Sequence, residues 1–133
     1  MSFSSDLKKI SKEIKKDLDS FYRSIALSAG NSLIMLSPVD TGRFRANWNF
    51  EIGADNNSTS TNMDKTGTLA LGRLRAKVRV SKMGDVLYMS NNLPYAYRLE
   101  TGWSAQRPAE QGIVKETARL FDDFIDAAIK GKK

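Results

Sequence analysis

The residues best suited to chemistry are few. Asp40-Thr41-Gly42 has the form of an aspartic-protease catalytic turn, in which the aspartate would activate water against a second carboxylate. The context argues against that use. Ser37-Pro38 precedes where an apolar strand is needed, Arg43 follows where a small residue is needed, and no apolar-apolar-Gly segment follows to back the site. A capped turn opening a short helix accounts for the same residues, with Asp or Thr accepting backbone N–H groups. Glu51, Glu100, Glu110 and Glu116 show no pairing that would aim two acids into one cleft. Gly67, Gly72 and Gly84 lack phosphate-loop spacing, and the acids of the last apolar stretch lack the alternation of a calcium loop. The chain has no cysteine and no histidine. Disulfides, thiol nucleophiles and thiolate sites go with the first, and the commonest general base and metal ligand with the second. The expectation is a protein that is not an enzyme and uses no cofactor or metal.

Aromatic and basic side chains are the remaining chemistry. Tyr95, Tyr97, Arg98, Trp103 and Arg107 lie close together in the chain. Such a cluster can stack on single-stranded nucleic acid, anchor a protein interface, or fill a core, and composition does not separate the three. Net charge is +6, from 21 basic and 15 acidic residues. The excess sits at Lys8, Lys9, Lys12, Lys15 and Lys16, at Arg73, Arg75, Lys77, Arg79 and Lys82, and at Lys130, Lys132 and Lys133. Each group reads either as a solvated face or as a contact for nucleic acid.

The 133 residues amount to a single domain, 41% hydrophobic and 27% charged. No apolar run nears the roughly 20 residues of a membrane span, and the first residues lack the basic and apolar regions of a secretory signal. No membrane partner is expected, and the chain is expected to fold in a cytoplasm.

Leu7, Ile10, Ile14, Leu18, Phe21 and Ile25 recur at helical spacing and predict a helix from about Ser5 to Leu36, stopped by Ser37-Pro38. Residues 43–48 suit a helical turn and 49–53 a strand. The polar, aperiodic run 54–68 reads as an exposed loop. Residues 69–80 are ambiguous: Leu74, Ala76, Val78 and Val80 alternate with basic residues as in a strand, while Leu71, Leu74 and Val78 suit a helix. A second strand is expected over 85–90, a short helix from Pro94 to Glu100, a helix from about Gly112 to Ile129, and a frayed basic tail over 130–133. Together these predict an α+β domain: a long N-terminal helix, a small antiparallel or mixed sheet, and a C-terminal helix packed on one sheet face.

Two linked segments resemble the neck and minor tail (tail-completion, head–tail joining) proteins of long-tailed bacteriophages. The first is Pro38, Asp40, Thr41, Gly42, Phe44, Arg45 and Trp48. The second is Asn91-Asn92-Leu93-Pro94-Tyr95-Ala96-Tyr97-Arg98-Leu99-Glu100-Thr101-Gly102-Trp103-Ser104, with Gln106-Arg107-Pro108-Ala109 and Gly112-Ile113-Val114. Gly84 to Tyr88, between them, also fits. The likeness spans roughly residues 37–114. This chain departs from the pattern in Ala109-Glu110-Gln111, where a single residue is common, and in Thr101, where an aromatic is frequent. The resemblance favours a helix over 69–80. It implies a virion protein that forms a homo-oligomeric ring at the head–tail junction, touching other connector and tail proteins and letting DNA pass. On that reading Asp40, Thr41, Gly42, Arg45 and Trp48 form one interface patch. Pro94, Tyr95, Tyr97, Glu100, Trp103 and Arg107 form its complement. Arg73, Arg75, Lys77 and Arg79 would face a DNA channel in non-specific contact. The alternative is a free nucleic-acid-binding protein using the same basic and aromatic patches.

Overall fold

The computed structural model describes residues 3–101 and 112–131. Its first element, α1 (Phe3–Leu36), is a single helix of 34 residues. It begins polar on all sides but the apolar stripe, and becomes buried only toward its C-terminal end, where Ala26, Ala29, Gly30, Leu33 and Ile34 enter the core. The chain then turns through Ser37-Pro38 into the short α2 (Arg43–Ala46) and the strand β1 (Trp48–Ile52). After a long loop come α3 (Thr68–Val80) and β2 (Leu87–Asn91), then α4 (Ala96–Glu100), α5 (Val114–Arg119) and α6 (Phe121–Lys130). Among the described residues no helix is long and apolar enough to cross a membrane.

The sheet is a two-stranded antiparallel ribbon, with Trp48 opposite Asn91, Phe50 opposite Met89 and Ile52 opposite Leu87. Alternation along β1 turns Trp48 and Phe50 inward and Asn49 and Glu51 outward. A lone ribbon is marginal in water, and here one face is covered by helices. Ile34, Leu74, Val78, Phe44, Trp48, Phe50, Leu93 and Ile113 form the centre of the core. The last two helices run back along α1: Ser32 and Thr117 hydroxyls meet at 2.8 Å, while Ile129 reaches Leu18 and Phe21. Phe121 lies near Phe21, Leu87 and Met89, where α1, the C-terminal helices and the ribbon converge.

The ambiguous stretch 69–80 is helical. Its alternation is real in sequence but not in space: Ala70, Leu74 and Val78 point into the core, whereas Ala76 and Val80 are exposed on the opposite side. Spacing of four, not two, decides which residues α1 and β1 cover. The single helix expected over 112–129 is instead two, meeting at Leu120. The loop between β1 and α3 is exposed along much of its length but anchored at both ends of the run. Asn47 Nδ2 donates to Ser60 O and Asn47 Oδ1 accepts from Ser60 N, at 2.9 and 2.7 Å. Asn56 O accepts from Asn49, Ser90 and Asn92 side chains, and buried Asp64 accepts from Ala70 N through Oδ2 at 3.0 Å. Carboxamides on the outward face of the ribbon thus give the loop the backbone partners that another strand would have supplied.

Where α1 ends, Ser37 Oγ donates to Leu33 O at 2.6 Å and accepts the Trp48 indole N–H at 2.7 Å. Both residues are buried. Removing only the acceptor strands an indole donor, which costs more than removing both partners. Ser37→Ala is therefore expected to lower unfolding free energy by about 1–3 kcal/mol. In urea melts, adding Ser37→Ala to Trp48→Phe should cost distinctly less than it does in the native background; equal costs would mean the bond contributes nothing.

Candidate interface site

The Asp40–Trp48 turn and the Asn91–Glu100 segment, far apart in sequence, meet in space. Phe44 is the hinge of that meeting. Its ring stands edge-on to Trp48 with centroids 5.9 Å apart, and tilts against Tyr95 at 6.2 Å. Its carbonyl accepts Asn91 Nδ2 at 2.8 Å. Pro38, Val39, Asp40, Thr41, Gly42, Arg43, Phe44, Tyr95 and Leu99 line a shallow groove of about 280 Å³. The two segments, expected as separate and complementary patches, thus form one continuous surface.

Its members divide by exposure. Asp40 and Thr41 are exposed, with Thr41 Oγ1 accepting from Arg43 N at 3.3 Å. Pro94 is exposed, Tyr95 half-buried, and Tyr97 is 78% exposed. These are the side chains able to touch another molecule directly. Gly42 and Trp48 are buried, and Trp48 belongs to the core. Gly42 has φ +88°, and a Cβ there would lie 2.5–2.6 Å from the backbone nitrogens of Lys65 and Asp64. The glycine is needed because the loop crosses it, with Asp64 N donating to Gly42 O at 3.0 Å. Arg45 is a clamp: Nε donates to Ser37 O, one terminal nitrogen to Lys65 O and the other to Met35 O, at 3.2, 2.8 and 3.1 Å. Two of those carbonyls close the C-terminal end of α1, where a cation is favoured. Trp103 and Arg107 lie outside the described residues.

Glu100 takes a role that composition did not disclose. Its Oε1 accepts the backbone N–H groups of Ile113 and Val114, at 2.7 and 2.8 Å, and its Oε2 that of Lys115 at 3.1 Å. One carboxylate thus joins the end of α4 to the start of α5, across segment 102–111. Gly112, at φ +64°, makes room for it: a Cβ would stand 2.6 Å from Glu100 Oε2. A carboxylate–backbone contact 13 to 15 positions along the chain has no periodicity that could reveal it in the sequence.

The four basic residues of α3 separate into two pairs at i, i+4. Arg73 donates to the carbonyls of Ala46 and Trp48, and Lys77 Nζ pairs with Glu51 at 2.9 Å. Lys77's hydrogen bond, followed by that of Asn56, holds the Glu51 carboxyl below its ordinary range. Arg75 and Arg79 are exposed and make no hydrogen bond or ion pair among the described residues. Only that second pair is available to a polyanion.

No protein-family model matches the chain, and neither a curated protein nor a solved structure is significantly similar to it.

Two expectations follow for this site. Gly112→Ala and Glu100→Gln should each lower stability, the latter by about 1–2 kcal/mol as for loss of a helix-capping carboxylate. Combining them should cost less than their sum in denaturant titration, because both act on one contact. The Glu51–Lys77 pair has a pH signature. A carboxyl lowered on folding stabilises above its unfolded pKa, and that contribution is lost as pH falls through the folded value. Lys77→Ala should therefore lower the melting temperature slightly at pH 7 and leave it unchanged at pH 2.

Proposed function

We propose that this chain is a structural, non-enzymatic subunit of a tailed-phage virion that forms a ring at the head–tail junction, helping to join head and tail while leaving a passage for DNA. The observation that carries the reading is the convergence of the two motif segments on one surface. Residues that resemble a neck-protein signature are brought into one groove lined by Phe44 and half-buried Tyr95 and edged by exposed Asp40. Half-buried Tyr95 within the groove and exposed Tyr97, which lies on α4 outside the groove lining, are suited to anchor a neighbour, since aromatic side chains give contact area at little entropic cost. Asp40 adds a charge that a basic neighbour can pair with.

A second reading, a free nucleic-acid-binding protein, draws on a different observation. Arg75 and Arg79 have no hydrogen-bond or ion-pair partner among the described residues, and Lys9, Lys12, Lys15, Lys16 and Arg23 line a groove along α1 that also holds Glu13 and Asp19. Binding of this kind weakens steeply with salt. Each of Arg75→Ala and Arg79→Ala would then reduce the salt slope by about one. A slope unchanged by both substitutions removes α3 from that reading.

The ring reading is tested by complementation. Heads and tails assembled without the chain should stay separate in negative-stain images, and adding it should join them. Tyr97→Ala should cut the joined fraction at least tenfold while the subunit's melting temperature stays within about 2 °C, because an exposed side chain contributes little to stability. Trp48→Ala should do the reverse first, by unfolding the subunit. Joining that proceeds equally well without the chain would end this proposal.

A further inference from the structure

The N-terminal half of α1 has an apolar face that nothing among the described residues covers. Phe3, Leu7, Ile10, Ile14 and Leu18 are 70, 53, 53, 55 and 45% exposed. Among the described residues, Ile129 of the C-terminal helix lines a small cavity with Asp17, Leu18 and Phe21, and no cavity or hydrogen bond ties that helix to the chain before Asp17. Residues 3–16 therefore form a helix of roughly 21 Å without tertiary support from the other described residues. A helix of this length is marginal alone in water and is ordinarily stabilised by packing its apolar face. Contiguous apolar surface on this scale marks a contact site.

Two features of the stripe identify its occupant. The first is its repeat. Leu7 and Leu18, Ile10 and Phe21, and Ile14 and Ile25 are each related as i and i+11. That interval gives about 3.67 residues per turn, close to an undistorted helix. The stripe thus runs almost straight along the helix, suited to a neighbour lying alongside. The second is the charge on its two borders. At 100° per residue, Asp6, Glu13 and Asp17 flank the stripe on one side, and on the other Ser4 and Ser11 border it with Lys15 and Lys8 just beyond. Side-by-side parallel copies set the acidic border of one helix against the lysine border of the next. Antiparallel copies set like against like, so the pattern selects the parallel arrangement. An interfacial membrane helix places lysines beside its apolar face without an acidic border.

We propose that residues 3–18 form a self-association surface, on which the same segment of a second copy packs in parallel. The inference stands on α1 alone and does not rest on the virion reading. If both hold, α1 supplies a contact between copies distinct from the groove around Phe44 and Tyr95.

Because the chain contains no cysteine, a single introduced thiol reports the geometry directly. In a parallel pair, equivalent stripe positions face each other. Oxidation of full-length Ile10→Cys should therefore give disulfide-linked dimers at least tenfold faster than Lys12→Cys, whose thiol lies on the back of the helix. Adding Ile14→Glu should abolish that excess, with helical circular dichroism and melting temperature retained. Asp6→Lys with Glu13→Lys should slow linkage, and further Lys8→Glu with Lys15→Glu should restore it. Equal rates at positions 10 and 12, or no linkage at 10, overturns the proposal. Failure of the second charge reversal to restore linkage overturns the parallel arrangement. Binding to anionic vesicles by a chain that does not cross-link at position 10 assigns the stripe to lipid instead.

Discussion

The hydroxyl of Ser37 is the point on which the architecture turns. A long helix must stop, reverse the chain and leave no buried carbonyl or indole unpaired, all within a few residues. Ser37 meets these needs together by closing back on Leu33 O while accepting Trp48 Nε1–H. Pro38 prevents the helix from continuing, and Arg45 satisfies the carbonyls of Met35 and Ser37 that the ending exposes. With Trp48 held there, β1 starts at a defined place and Phe44 is wedged between Trp48 and Tyr95. The groove is thus a consequence of how α1 ends. Its outer residues are positioned by the inner ones.

This division explains why a motif that resembles a binding signature contains so many buried residues. Gly42, Arg45, Trp48 and Glu100 are framework: one admits the crossing loop, one clamps a helix end, one packs, and one ties α4 to α5. Asp40, Thr41, Pro94 and Tyr97 are the part shown to solvent. A glycine at positive φ beneath a backbone, or a carboxylate taking three amide protons, tolerates replacement poorly, whatever the outer face contacts.

Much of the fold was legible because its elements are long and periodic. The stripe from Leu7 to Ile25 announced α1, and Ser37-Pro38 marked its end within a residue. The short strands were placed within two residues of their positions. What escaped depended on tertiary cover. Residues 74–80 satisfy both periods, and only the presence of α1 and β1 against Leu74 and Val78 settles the matter. The loop's order is built from Asn47, Asn49, Ser90 and Asn92 side chains reaching backbone atoms far along the chain, contacts that leave no pattern in composition. For the site, residue types suggested an interface, but not that its two halves are a single surface.

That fusion of the halves constrains any assembly. A closed ring needs two different faces on every copy, because the surface offered to one neighbour must differ from the surface offered to the other. With the Asp40 turn and the Tyr95 segment joined, the groove accounts for only one such face, and the second has to lie elsewhere. The projecting half of α1 carries a run of exposed apolar residues from Phe3 to Leu18, with acids along one flank and lysines toward the other. In a parallel pair the acidic and lysine borders of each helix are both occupied by one partner, so this face joins copies two at a time and differs in kind from the groove. Parallel packing of that kind would point the two paired copies in the same direction, with their Phe44–Tyr95 grooves at equivalent heights along the pair.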